Sequence, residues 1–127
     1  ARLSDIETRA AATTILVAIA DESRLVGAVS LVRPGSVFAE IAREGEAEVR
    51  MLAVSPAERG GGIGQALMLG CIDLAREWRA RRLVLSTQQS MADAQRLYGR
   101  LGMARAEGRD WVSAYGDTRL VYELPLL

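Results

Sequence analysis

Residues 47–78 read AEVRMLAV, SPAE, RGGGIG and QALMLGCIDLAREW in succession, and this stretch decides the fold. Glu48 to Val54 alternates as a strand does, which predicts Glu48, Arg50, Leu52 and Val54 on one face and Val49, Met51 and Ala53 on the other. Ser55-Pro56 stops it. Arg59-Gly60-Gly61-Gly62-Ile63-Gly64 follows, and a helix opens at once and runs to about Ala80. Leu67, Cys71, Leu74 and Trp78 give that helix one apolar stripe, on which Cys71 is inert packing. Arg76, Arg79, Arg81 and Arg82 gather at its end, a solvated cluster where the helix dipole favours cations. Leu83 to Thr87 (LVLST) is the next strand, and a right-handed crossover brings the two strands parallel.

Working outward, Thr14 to Ala20 (TILVAIA) and Val26 to Val32 (VGAVSLV) are strands joined by the polar turn Asp21-Glu22-Ser23, an antiparallel hairpin. Ahead of them, Ser4-Asp5-Ile6-Glu7 has capping-box spacing and predicts a short helix through Ala12. Residues 36–46 read as a connection. After the parallel pair, Ser90-Met91-Ala92-Asp93 matches a second capping box, and the helix it opens runs to Leu101 before the stop at Gly102. The tail offers a strand around Met103–Val112, a turn at Gly116-Asp117 and a strand at Arg119 to Leu124. The expected architecture is a mixed α/β fold, with a mostly antiparallel central sheet flanked by helices.

Composition excludes whole classes of chemistry. The chain has 127 residues, one domain's worth. Sixteen basic residues balance sixteen acidic ones, which argues against nucleic acid or an anionic membrane as partner. All the basic residues are Arg; there is no His, Lys or Asn. Without His, the Ser-His-Asp and Cys-His mechanisms and His-built zinc sites are gone. Without Lys, so are Schiff-base catalysis and the nucleotide loop that ends in Lys-Ser/Thr. The lone Cys71 gives neither an internal disulfide nor a metal-ligand pair. No metal is expected. No apolar run approaches the ~20 residues of a membrane span, and one thiol with no secretory segment points to the cytoplasm.

Four glycines in five positions between a strand and an amphipathic helix let the backbone approach a ligand closely. The first helical turn leaves N–H groups unpaired at the positive end of the dipole, which suits an anion such as a phosphate. The dinucleotide fingerprint fails, because its third glycine falls on Leu67 or on Gln65. A glycine turn that holds no ligand stays open as the plain alternative.

Three motifs in order carry a resemblance. Arg59-x-x-Gly62-x-Gly64 is similar to the Gln/Arg-x-x-Gly-x-Gly/Ala loop of the GNAT superfamily of N-acetyltransferases. Ala47 to Val54 resembles that family's central strand. Ala94-x-x-Leu97-Tyr98-x-x-Leu101-Gly102-Met103 resembles its later helix. The likeness spans about residues 14–124 and implies an acyl-CoA N-acyltransferase fold in which the parallel strand pair splays apart. It implies a single domain over 1–127 that lacks the family's usual N-terminal strand and helix.

The resemblance places acetyl-CoA against Leu52, Ala53 and Val54, along Arg59, Gly60, Gly61, Gly62, Ile63, Gly64 and Gln65, and near Thr87, Met91 and Tyr98. Met91 stands where the family often carries Asn, so an amide contact would come from Thr87 or Gln88. The implied reaction is direct attack of a primary amine on the thioester within a ternary complex. The Leu52 amide polarises the carbonyl, Glu48 acts as base directly or through a water, and Tyr98 is the acid for the leaving thiolate. The residues alone leave Glu48 equally readable as a paired strand carboxylate and Tyr98 as core. Trp111 and Tyr115 line either an acceptor pocket or a subunit contact. The acceptor is a small-molecule or peptide amine, and pairing of tail strands, common in the family, makes a homodimer one option. A silent acyl-CoA-binding or sensor module is the alternative reading.

Overall fold

The computed structural model describes residues 2–7 as backbone and residues 13–21 and 23–127 in full. In chain order the elements are β1 (Arg2–Glu7), β2 (Thr13–Ala20), β3 (Arg24–Val32), β4 (Glu46–Val54), α1 (Ile63–Glu77), β5 (Arg82–Gln88), α2 (Ala92–Arg100), β6 (Ala104–Arg105), β7 (Trp111–Val112) and β8 (Thr118–Pro125). The strands form one sheet in the order β1-β2-β3-β4-β5-β8-β6, with β7 also on β8. Every pairing is antiparallel except β4 with β5. A mixed, mostly antiparallel sheet with one parallel pair is the architecture the sequence predicts. No helix among the described residues is long and apolar enough to cross a membrane.

Five expectations need correcting. Ser4–Glu7, whose capping-box spacing predicts a helix, belongs to strand β1, paired from Arg2↔Ile19 to Glu7↔Thr14; the open edge of the hairpin overrides a weak local signal. The remainder of that predicted helix, residues 8–12, lies outside the described residues. The tail strand around Met103–Val112 is broken into β6, a 3₁₀ turn at Glu107–Arg109, and β7. Asp110 causes the break, because its Oδ1 takes the Val121 amide (2.9 Å) that a continuous strand would have paired. Ser90 does not cap α2: the N-cap is Met91, with no side-chain cap bond. Helix α1 ends at Glu77 and not near Ala80, and Arg79 takes a left-handed turn (φ 59°).

The fifth correction concerns β4, and it positions the site. The β3–β4 register jumps from Leu31↔Val49 to Ser30↔Met51, so Arg50 is an extra residue on β4. Such a bulge reverses which face each later side chain takes. Ala47 and Val49 face the core before it, and Leu52 and Val54 pack against the same core after it. Glu48 is therefore on the face opposite Leu52 and Val54, contrary to simple alternation. On the core face α1 buries Leu67, Met68, Cys71, Ile72 and Ala75, a band wider than the predicted stripe. Its approach is set by Gly27: a Cβ there would sit 3.0 Å from both Ile63 Cγ2 and Leu67 Cδ1 and 3.2 Å from the Ala53 carbonyl oxygen.

At the start of β4, Glu46 is fully buried. Its Oε1 accepts from the Arg43 amide and from Arg109 Nη2, and its Oε2 accepts from Arg82 Nη1 and Arg109 Nη1, all at 2.8–2.9 Å. Burial raises the carboxyl pKa, but the Arg109 bonds, the Arg43 amide and Arg82 outweigh it and bring the value down to about 2 from 4.5. The folded pKa lies below the unfolded one, so this stabilisation is complete above about pH 4.5 and is lost as the pH falls toward 2. Glu46→Gln removes the buried counter-charge of Arg109 and leaves Arg82 only the more distant Glu123 (3.8 Å), and should lower stability at pH 7 by about 3–5 kcal/mol. Urea titrations across pH should also show a shallower acid loss in that variant than in the parent chain.

Candidate functional site: a gap in the sheet beside a glycine-rich helix start

The parallel pairing of β4 and β5 runs from Glu46↔Arg82 to Val49↔Leu85 and stops there. Beyond that point β4 continues through residues 50–54 along β3, and β5 continues through Ser86, Thr87 and Gln88 along β8. The two strands have parted, directly after the Arg50 bulge. The Ser55 N–H donates to the Val26 carbonyl at 2.8 Å. Antiparallel alternation then turns Ala53 and Met51 toward β3 as well, and leaves the main chain of Leu52 and Val54 facing the gap. Of the three strand residues assigned to the cofactor by resemblance, Leu52 and Val54 thus present free backbone, whereas the Ala53 main chain is committed to β3.

At the end of β4 the chain enters the glycine loop. Gly60 and Gly62 both take φ 85°, and a Cβ at either would meet nothing within 4 Å, so glycine is needed there for the turn and not for packing. Helix α1 starts at Ile63 with Gly62 as N-cap and no side-chain cap bond. The Ala66 amide is the first to close onto the loop, at the Gly62 carbonyl (3.0 Å), so the amides of Ile63, Gly64 and Gln65 have no intrahelical acceptor. Arg59 is exposed beside them. This arrangement fits an anionic, phosphate-bearing ligand whose extended arm enters the gap.

Tyr98 is brought to the same place by α2. Gly64 lets the helices close, with its Cβ position 3.3 Å from Leu97 Cδ2. The Tyr98 ring packs on Tyr122 at 5.5 Å and an interplanar angle of 56°. Tyr122 pairs with Leu85, the last β5 residue before the strands part. Burial, with Tyr122 adding to it, pushes the Tyr98 phenol up to about 12. Thr87 is buried on the β5 wall of the gap, and Met91 is exposed with no polar group to offer. Burial also raises the Cys71 thiol to about 12.

Glu48 lies on the other face of the sheet. It is 1% exposed, and its Oε1 accepts the amides of Glu40, Ile41 and Ala42, each at 2.9 Å. Arg50 adds a bond from Nη1 to the Phe38 carbonyl (2.8 Å). These contacts fold the connection over β4. No periodicity announces them, and the sequence signal is three charged residues, Glu46, Glu48 and Arg50, in a strand whose other residues are apolar. At the far end of β5 a polar cleft of about 450 Å³ is lined by Gln88, Gln89, Ser90, Gly116, Asp117 and Thr118. Tyr115 stands out from its rim at 91% exposure, while Trp111 is partly covered, with the Arg119 guanidinium 5.9 Å from its ring centre.

A sheet opened between two parallel strands, next to an uncapped helix start, defines an acyl-CoA-type fold. A sequence model of the acetyltransferase (GNAT) family matches residues 2–103, and the chain belongs to that family. A Bacillus subtilis (strain 168) protein, provisionally named a ribosomal protein bS18-alanine N-acetyltransferase, is 36% identical over 58 residues, which is 46% of this chain and 38% of that protein. The matched stretch therefore spans under half of that relative. Nourseothricin acetyltransferase superposes with a TM-score of 0.78 at 26% identity, over 91% of this chain and 66% of that one. A Salmonella typhimurium protein provisionally named as an acetyltransferase, solved with its cofactor acetyl-CoA, shares the fold at a TM-score of 0.71 and 21% identity, over 91% and 65% of the two chains.

Loss of the Glu48 clamp should be visible directly. Glu48→Ala should remove hydrogen-exchange protection at the amides of Glu40, Ile41 and Ala42. Glu48→Gln, which keeps an acceptor oxygen, should retain most of it.

Proposed function

We propose that this domain is an acetyl-CoA-dependent N-acetyltransferase that passes the acetyl group to a primary α-amine, of a peptide or an amino acid, in a ternary complex. The observation that carries the reading is the gap between β4 and β5, with the free main chain of Leu52 and Val54 on one side and the start of α1 at its end. The amides of Ile63, Gly64 and Gln65, with Arg59, hold the diphosphate. The Val54 main chain pairs with the pantetheine arm. The Leu52 N–H meets the thioester oxygen and stabilises the negative charge that grows there as the amine attacks. The new C–N bond forms as the C–S bond breaks, the sulfur leaves toward Tyr98, and the proton lost by the nitrogen passes through solvent to the thiolate, giving the amide and free coenzyme A thiol.

A phenol near 12 is a weaker acid than an ordinary thiol near 8.5, so full proton transfer to the thiolate runs uphill. Tyr98 therefore acts as a hydrogen-bond donor to the departing sulfur. The amine's own proton decides the acceptor class. Glu48 has one oxygen spent on three amides and is almost fully buried, which leaves an incoming amine little access to it. A lysine-type amine at pKa ~10.4 loses roughly 4.6 kcal/mol in becoming neutral at pH 7, whereas an α-amine near 7.8 loses only about 1 kcal/mol. An acceptor that is partly neutral to begin with suits a site without a strong base, and the name of the Bacillus subtilis relative, an alanine N-acetyltransferase, points the same way. The polar cleft beside Gln88 and Thr118 is the place for the acceptor's backbone. We place the reaction in the cytoplasm, in keeping with a chain whose single thiol is unpaired.

Calorimetry with acetyl-CoA should show saturable binding, and free thiol should be released when a peptide with a free N-terminus is supplied. Nε-amines should be far poorer acceptors at pH 7, the gap narrowing as pH rises toward 10. Tyr98→Phe should lower kcat roughly 10- to 10²-fold, the effect of losing a hydrogen bond to a charged sulfur. Glu48→Gln should change it far less than the ~10²–10⁴-fold of a lost general base. Saturable binding without thiol release on any amine would define an acyl-CoA-binding module instead.

A further inference from the structure

Gln95 lies on α2 one turn before Tyr98, half-buried. Its Nε2 donates to the carbonyls of Gln88 (3.2 Å) and Gln89 (3.1 Å), where β5 leaves the sheet at the mouth of the gap. A carboxamide donates only through nitrogen, so two carbonyl partners settle its orientation and turn Oε1 the other way. There Oε1 accepts from the Tyr122 hydroxyl at 3.4 Å. Tyr122 in turn carries the Tyr98 ring against its own at 5.5 Å. One side chain thus links the β5–α2 connection, strand β8 and, through Tyr122, the phenol at the gap.

We propose that Gln95 is a positioning residue, which locks the β5–α2 connection and the Tyr122 hydroxyl into one unit and so fixes where the Tyr98 phenol stands relative to the gap. The inference rests on the reading of Tyr98 as the hydroxyl that meets the leaving sulfur. The need for such a device follows from the helix itself. Helix α2 has nine residues and no side-chain cap at its N-terminus. Helices this short do not hold their own position, and a misplacement of ~1 Å at a reacting group can cost up to ~10²-fold in rate. The backbone bonds Met91 N–H to Gln88 O (3.1 Å) and Gln95 N–H to Met91 O (3.1 Å) set the helix start, but neither reaches Tyr122. Among the described residues, the Gln95 side chain does both.

A double-mutant cycle with acetyl-CoA and a short peptide bearing a free α-amine tests the inference. Gln95→Met keeps the side-chain length and removes every hydrogen bond. It should lower kcat roughly 10-fold with the KM for acetyl-CoA unchanged, and should have almost no further effect in a Tyr98→Phe background. Tyr122→Phe, which keeps the ring and is expected to fold normally, should show the same dependence on Tyr98 with a smaller loss. Equal losses in both backgrounds, or no loss with Tyr98 present, would overturn the positioning role while leaving the Tyr98 assignment intact. No effect of Tyr98→Phe alone would sink both. Hydrogen exchange at Met91 and Gln95 needs no acceptor: it should speed up in Gln95→Met, and unchanged protection rules the proposal out.

Discussion

The absence of pairing between β4 and β5 beyond Val49 and Leu85 is the constraint on which the rest depends. Two parallel strands that part must leave main-chain groups without partners, and unpaired groups in a sheet interior are costly unless something else meets them. Here the parting coincides with one extra residue, Arg50, which sits where β4 changes its face and loses β5 as a neighbour. Its guanidinium is tied to the folded connection above the strand. The same irregularity marks the start of the gap, turns Leu52 and Val54 to the core, and leaves Glu48 on the opposite face. In the proposed reading, a ligand with an extended, amide-rich arm takes the place of the missing strand.

Two sets of contacts hold the opening at a fixed width. On the core face, Gly27 lets α1 approach to side-chain contact, and Gly64 lets α2 approach α1. On the other face, Glu46 and Glu48 hold the connection between β3 and β4 through backbone amides and arginines. Buried carboxylates are expensive, and these two are retained because they bind segments that lack regular hydrogen-bond ladders of their own. The opening is therefore framed by rigid elements, which suits the proposed alignment of a thioester between an incoming amine and a departing sulfur.

Much of this was legible in the residues. The β2–β3 hairpin, the crossover through α1, the parallel strands and α2 follow from periodicity and from the glycine and proline stops, because those patterns are local and repeated. The glycine loop was legible as a strand-to-helix turn with an uncapped helix start for the same reason. The bulge was not, because one extra residue in EVRMLAV leaves the alternation formally intact. Ser4–Glu7 misled because a capping box is worth little against an open sheet edge. The tail strand misled because the side chain that breaks it, Asp110, acts on an amide eleven residues away. Among the site residues, Tyr98 and Leu52 came from motif likeness. Gln95 carried no signal, since a glutamine on a polar helix is unremarkable until its two carbonyl partners are placed.

The Glu46–Arg109 pair joins residues 63 positions apart. The family match ends at residue 103, six residues before that arginine. A domain cut at the match boundary would retain both helices, the glycine loop and the gap, yet it would lose β8, the lateral neighbour of β5, and half the counter-charge of a carboxylate sealed from water. The segment beyond the recognisable motif is thus the keystone of the opening, and any minimal version of this domain has to extend through Pro125.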